Sequence, residues 1–399
     1  MTEAAEPKPP PGPGARGRGL SELARLFLRL GTTAFGGPAA HIAMMEDEVV
    51  SRRRWLSREQ FLDLIGATNM IPGPNSTEMA IHVGHRRGGF PGLLVAGTCF
   101  ILPAALIVTA IAWAYVRFGR LPQALGLLYG VKPVVIAVVA QALWRLGRSA
   151  LKGPLLVTVA LAATVLGFVG VHELAIIFGA GGFVVLARVL MRRRPLSGLS
   201  LLTIGLPPAI TSAPAALAGA AAPFGLVPLL LFFMKVGAVL FGSGYVLIAF
   251  LRADLVERWR WLTESQLLDA VAVGQITPGP VFTTATFIGY VLGGPAGAAV
   301  ATVGIFLPAF AFVAISGPVV PRLRRSPTAA AMLDGVNVGS LAIMAVVTVH
   351  LARASLIDPL AIGLAIGSAV ALMRFRVNSA WLVLLGGLVG LVAGQLGYR

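Results

Sequence analysis

The chain repeats itself. Shifted by 206 positions, Phe27 falls on Phe233 and the match continues in order. Arg54-Trp55-Leu56-Ser57 lies over Arg260-Trp261-Leu262-Thr263, and Gln60-Phe61-Leu62-Asp63 over Gln266-Leu267-Leu268-Asp269. Asn69-Met70-Ile71-Pro72-Gly73-Pro74 lies over Gln275-Ile276-Thr277-Pro278-Gly279-Pro280. One residue is then dropped, after which Gly88-Gly89 lies over Gly293-Gly294, Leu102-Pro103 over Leu307-Pro308 and Gly130-Val131 over Gly335-Val336. Two copies of one unit meet around a pseudo-twofold axis and both line the interface, an arrangement characteristic of transporters. The chain divides into a Pro/Gly-rich tail over 1–19, read as disordered, a first repeat over 20–195, a connector over 196–223 and a second repeat over 224–399. The connector is apolar but carries Pro207, Pro208, Pro214 and Pro223, which interrupt a helix.

Of the 399 residues, 57% are hydrophobic and only 12% charged, too few charges for a soluble surface. The fold class expected is an all-α polytopic membrane protein. Apolar stretches long enough to cross about 30 Å of hydrocarbon cover 90–116, 126–144, 153–171, 173–190, 225–250, 295–316, 330–351, 356–373 and 379–397. Segment 20–45 is mixed and reads as an amphipathic or tilted helix. With two broken hairpins, about ten helical spans are expected. The formal net charge is +16, with the excess in short clusters between apolar runs: Arg52-Arg53-Arg54, Arg86-Arg87, Arg145/Arg148/Lys152, Arg192-Arg193-Arg194 and Arg322/Arg324/Arg325. Such clusters set topology against a lipid bilayer rather than bind nucleic acid. Cys99 is the only cysteine and the histidines lack ligand spacing, so neither a disulfide nor a metal site is expected. Walker A, Rossmann, HExxH and nucleophile-elbow patterns are missing, which argues against an enzyme, an ATP-driven pump or a cofactor. The tail has no secretory h-region, which points to a multi-pass protein of the cytoplasmic membrane inserted through its own helices.

Each repeat carries a Pro-Gly-Pro break inside a helix-compatible stretch: Pro72-Gly73-Pro74 and Pro278-Gly279-Pro280. Inside a bilayer a break persists only where the freed backbone meets protein, water or ligand. After the first break, Asn75 is expected to cap a short helix, with Glu78 completing a capping box. The amides of Ser76 and Thr77 would then face the break, joined by the hydroxyls of Ser76, Thr77, Thr283, Thr284 and Thr286. Such termini attract an oxyanion, and two of them across a pseudo-twofold suit a small tetrahedral dianion. A plain proline kink is the alternative. Duplication of the break favours a site. Gly36-Gly37 and Gly242-Ser243-Gly244 read either as close helix packing or as a second unwound lining.

Ionisable groups in apolar stretches are costly and mark function by default. Arg29 and Lys235 are repeat-equivalent cations, and Lys132 begins a later span opposite Asn337 in the other copy. These cations could neutralise a dianion, while Asp63, Asp269 or Glu78 could carry a coupling proton. Structural ion pairing is the competing reading for each. Glu46-Asp47-Glu48 reads as a solvated helix face, and Trp55 and Trp261 as interfacial anchors. Counting five crossings between the repeats gives opposite orientations, whereas a sixth in the connector would make them parallel.

The set FGG (35–37), RWLSxxQFLD (54–63), PGP (72–74), GG (88–89) and FxxP (100–103) returns as FGSG (241–244), RWLTxxQLLD (260–269), TPGP (277–280), GG (293–294) and FLP (306–308). It resembles the chromate transporter family in its long two-domain form, over nearly the whole chain after residue 20. The resemblance implies inverted halves, secondary transport of chromate out of the cytoplasm and chromate resistance, with sulfate the related alternative cargo. Asn69 and Ile71 depart from the second copy's Gln275 and Thr277, so the copies would contribute unequally to a site. A homo-oligomer remains open.

Overall fold

A computed structural model describes residues 16–35, 37–119, 121–193, 223–241, 246–324, 326–375 and 377–396. Gly36, Gly242 and connector residues 196–222 lie outside the described residues. The segment read as a tail to residue 19 is already helical from Arg16.

In the first repeat the helices are α1 (Arg16–Thr33), α2 (Gly37–Glu46), α3 (Arg58–Thr68), α4 (Asn75–Phe118), α5 (Pro122–Ala150), α6 (Pro154–Phe168) and α7 (Glu173–Arg193). The second repeat returns them as α8 (Leu226–Val239), α9 (Leu247–Leu251), α10 (Glu264–Ile276), α11 (Thr284–Arg324), α12 (Pro327–Ser355), α13 (Pro359–Arg374) and α14 (Ser379–Gln395). Correspondence extends to fine detail. α3 and α10 both start with a capping box, Ser57 with Gln60 and Thr263 with Gln266. Arg54 and Arg260 both adopt left-handed backbone, at φ 52° and 54°. α4 and α11 both fold at the double glycine, where Gly89 has φ 61° and Gly294 φ 60°. There the two limbs double back so closely that a Cβ on Gly84 or Gly289 would strike the carbonyl of Gly92 or Gly297.

Segment 225–250 is not the single span its hydrophobicity suggests. α8 stops at Val239 and Leu240 is extended, at ψ 107°. Its repeat partner α1 likewise stops short, with Ala34 at its end. α1 runs beside α4 from Leu20 against Gly88 to Gly31 against Phe100, and so ends level with the middle of α4's long limb. Two hairpins, α1–α2 and α3–α4, therefore enter and leave from one face in each repeat.

The remaining helices settle the orientation of the halves. Tyr129 and Gln141 of α5 hydrogen-bond Asp358 and the Leu372 carbonyl at the two ends of α13, so α5 and α13 run parallel. A short turn makes α12 antiparallel to α13, and hence α12 antiparallel to its own repeat partner α5. The repeats are inverted. α7 ends beside Asp334 of α12, to which Arg188 is paired at 2.7 Å, on the face opposite the start of α8. The inverted arrangement thus holds although 225–250 does not cross.

Glycine seams carry the cross-repeat packing. A Cβ on Gly126 would come 3.0 Å from the Gly390 carbonyl, joining α5 to α14, and one on Gly339 would come 3.0 Å from Ile177, joining α12 to α7. Without water to drive apolar association, close backbone approach of this kind is what binds helices in lipid. Among the described residues five helices are long and apolar enough to span a bilayer: Asn75–Phe118, Gln123–Ala150, Glu173–Met191, Val281–Ser316 and Pro327–Ser355. α6, α8, α13 and α14 are apolar but shorter, at 15, 14, 16 and 17 residues.

Candidate functional site

The two Pro-Gly-Pro elbows interlock across the pseudo-twofold. The Gly73 amide donates to the Leu240 carbonyl at 2.8 Å, and the Gly279 amide donates to the Ala34 carbonyl at 2.9 Å. Leu240 and Ala34 are the residues at which α8 and α1 come apart. Each freed carbonyl is therefore satisfied by the other repeat's elbow, as low-dielectric surroundings require. Both glycines occupy left-handed backbone, at φ 140° and 89°, which other residues rarely adopt. A cavity of about 610 Å³ lies against this junction. The first elbow reaches it through Pro74, Asn75 and Ser76, and the second through Val281 and Phe282. Gly37, which starts α2, and Asn69, which ends α3, also line it.

Local geometry corrects the expected cap. α4 begins at Asn75 with extended Pro74 in the capping position and no side-chain cap, so the Asn75–Glu78 capping box does not form. The Asn75 amide group instead donates to Asn69 Oδ1 at 3.0 Å, tying the two sides of the elbow together. The leading amides of α4 have no carbonyl within their own helix and stand at the cavity wall. Thr77 is fully buried, and its hydroxyl has no hydrogen-bond partner among the described residues. Glu78 is also fully buried, with both carboxylate oxygens unpartnered among the described residues, and it packs beneath Gly73. The second elbow differs, because a 3-10 turn over Val281–Thr283 precedes α11. There Thr283 and Thr284 donate to the carbonyls of Pro280 and Val281 at 2.8 and 2.9 Å, and Thr277 donates to Val273 at 2.8 Å. Pro72 is half-buried, whereas Pro278, Pro280 and Gln275 are buried away from the cavity.

The cations singled out in the sequence lie elsewhere. Arg29 pairs with Glu48, and Lys235 with Asp254. Glu48 and Asp254 are repeat equivalents, each almost fully buried. Glu48 also accepts from Arg53 at 3.1 Å, so it is not part of a solvated face. Trp55 is buried under Arg53 and Arg87 rather than anchored at an interface. Lys132 donates to Ser265 at 2.6 Å and lies 3.5 Å from Asp269. Asp63, the partner of Asp269, is exposed.

The cavity's own charges come from a cluster read as topological. Arg145 of α5 and Lys152 just beyond it line the wall, facing Asp334, Asn337 and Ser340 of α12. Asp334 is engaged by Arg188, which leaves Arg145 and Lys152 as the surplus. No side-chain hydrogen bond or ion pair engages either among the described residues. The wall thus combines two cations, a helix N-terminus and the amide or hydroxyl groups of Asn69, Asn337 and Ser340. Such a wall can strip water from a small oxyanion and replace it with fixed donors.

Comparison with known proteins agrees with this architecture. The family model for chromate transporters matches residues 21–186 and again 227–391. A chromate transport protein of Pseudomonas aeruginosa is 34% identical over 381 residues, covering 92% of this chain and 91% of that protein. One from Cupriavidus metallidurans is 33% identical over 383 residues, covering 94% of each. A probable chromate transport protein of Synechococcus elongatus is 33% identical over 346 residues, covering 85% of this chain and 86% of its own length. No solved structure matches the chain. With both inverted halves matched in register, the chain belongs to the chromate transporter family.

Proposed function

We propose that this protein is a secondary carrier that moves chromate out of the cytoplasm and so confers chromate resistance, with the cavity between the elbows as its loading site. The observation that carries the reading is the electropositive wall of Arg145, Lys152 and the α4 N-terminus at the one place where both breaks meet. Its two cations match a tetrahedral dianion in charge, and its donors match four oxygens that accept hydrogen bonds.

Charge distribution supports the direction. The ends of α5 and α13 gather on the cavity's face and bring Arg145, Arg148, Lys152 and Arg374 there. Arg86 and Arg87 precede the α4 fold on the same face. The opposite face holds Arg117, Arg252, Arg258, Arg260 and Arg353, of which Arg252 and Arg258 are paired with acids. Excess basic charge faces the cytoplasm, so the cavity opens inward. A dianion leaving a negative-inside cell gains about 4.6 kcal/mol per 100 mV, at about 2.3 kcal/mol for each charge. Glu78 beneath the elbow is the proposed coupling group, because an ionised carboxylate there would repel the anion.

Chromate and sulfate flux in proteoliposomes, with imposed potential and pH gradients, tests this. We expect potential-driven chromate flux well above empty vesicles, with Glu78→Gln losing its dependence on the pH gradient. Flux at the level of empty vesicles rejects the substrate, and sulfate moving in preference to chromate reassigns it.

A further inference from the structure

The inverted halves are alike in sequence but differ in packing, and the difference lies in one pair of helices. α10 packs against α5, and every residue from Leu267 to Gln275 on it is buried. Its repeat partner α3 has no comparable packing on α12, and its Leu62, Asp63 and Asn69 are exposed. The gap between α3 and α12 is where the cavity opens, with Thr68 and Asn69 on one wall and Asn337 and Ser340 on the other. The matching gap on the far face is shut. Asp269 of α10 is 2% exposed, accepts from the Tyr115 hydroxyl of α4 at 2.9 Å and lies 3.5 Å from Lys132 of α5. Lys132 completes the closure by donating to Ser265, one turn earlier on α10, at 2.6 Å. Three helices, two from one repeat and one from the other, are thus drawn together by one buried carboxylate.

We propose that Lys132, Tyr115 and Asp269 form the outer gate of the transport path, and that α3 and α12 form its inner counterpart through Asp63 and Asn337. The inference rests on the transport reading above but concerns access rather than substrate. In the opposite state α10 swings off α5, releasing Lys132 toward the leaving anion, while α3 closes on α12 and brings Asp63 to Asn337. The two gates are chemically unequal. The outer one is held by an ion pair and a phenol, and the inner one offers only a carboxylate and an amide. An ion pair screened from water outweighs that weaker contact, which explains why this chain rests open on the basic face. Lys132 and Asp269 are positioning residues here, since neither lines the cavity.

The test uses the full chain in proteoliposomes with Cys99→Ser as background. Lys132→Cys combined with Asp269→Cys is bridged by a short bis-methanethiosulfonate, which a reductant cleaves. Bridging is expected to lower chromate flux at least tenfold, reduction to restore it, and the single-cysteine variants to be unaffected by the reagent. Undiminished flux in the bridged protein overturns the gate. A second arm does not depend on chromate. Ser149→Cys, on the cavity wall, is labelled from the basic face by an impermeant thiol reagent. Asp269→Asn and Tyr115→Phe are each expected to slow that labelling several-fold by shifting the population toward the opposite state, and unchanged labelling in both overturns the gate. If labelling shifts as expected while the unaltered protein moves no chromate, the gate stands and the substrate assignment falls.

Discussion

The amide of Gly279 is held by the carbonyl of Ala34, a residue of the other repeat, at 2.9 Å. Its twin contact joins Gly73 to Leu240 at 2.8 Å. A Cβ on Gly279 would lie 2.6 Å from that of Ala104 and 3.1 Å from the Gly31 carbonyl, neither of which can move aside. A Cβ on Gly73 would strike chiefly the carboxylate end of Glu78, which can rotate, with Ala309 at 3.8 Å. Both positions also impose left-handed backbone strain of about 1–3 kcal/mol on any other residue. Gly279→Ala should therefore lower the melting temperature in detergent more than Gly73→Ala, and both should depress flux. Equal melting temperatures for the two variants would mean that the elbows are not seated as described.

Lys235 and Arg29 are each paired with a buried acid, which makes a stability prediction. Removing the Lys235 ammonium leaves Asp254, which is 6% exposed, with only Arg258 at 3.6 Å among the described residues. Lys235→Ala should destabilise the protein by about 1.5–3 kcal/mol, the range for a lost charged hydrogen bond. Lys235→Met combined with Asp254→Leu should recover part of that loss, because the stranded carboxylate is gone. Thermal unfolding of the single and double variants checks this. A double variant no more stable than the single would show that the pair is not what the site needs.

The halves and the breaks were legible because a duplicated Pro-Gly-Pro leaves few ways to satisfy its backbone, whereas the inversion was expected from a count of five crossings that included 225–250, which does not cross. The end of α8 at Leu240 was not legible, since no proline stands directly before it and Gly237 stays within the helix; its cause is a carbonyl claimed by Gly73 from the other repeat. Glu48 and Asp254 fall on each other at the same shift as the motifs, so the repeat alignment could have revealed the ion pairs with Arg29 and Lys235. Arg145 and Lys152 were hidden for a different reason. Their repeat equivalents are His350 and Ile357, so no symmetry marks them, and which face of an inverted pair stands open is a property of packing that no single motif encodes.

Asp358 predicts an acid limb in the stability curve. It caps α13 by accepting from the Ala361 amide at 2.8 Å and receives the Tyr129 hydroxyl at 2.7 Å. These hydrogen bonds, the Ala361 amide first, hold its carboxyl below the usual carboxylate range. A carboxylate whose pKa is depressed by folding contributes stability that is full above its unfolded value, about 3.9, and is lost as pH falls through the folded value. The melting temperature should therefore fall below about pH 4. Asp358→Asn keeps a capping oxygen but should flatten that part of the curve, while Asp358→Ala should cost about 0.5–2 kcal/mol at neutral pH. An unchanged acid limb in Asp358→Asn would assign the titration to another group.

Arg145 separates the cavity reading from the sequence-level one most sharply. If the dianion docks on this wall, its guanidinium supplies a planar pair of donors that a lysine cannot reproduce. Arg145→Gln should raise the KM for chromate roughly tenfold, as loss of about 1.4 kcal/mol of binding implies, with little change in the amount of protein inserted. Arg145→Lys should fall between, and Lys152→Gln should have a smaller effect, since its ammonium sits beyond the end of α5 where salt screens it. Raising ionic strength should weaken chromate binding in the parent protein and less so in Arg145→Gln. A KM in Arg145→Gln equal to that of the parent would move the docking place away from this wall.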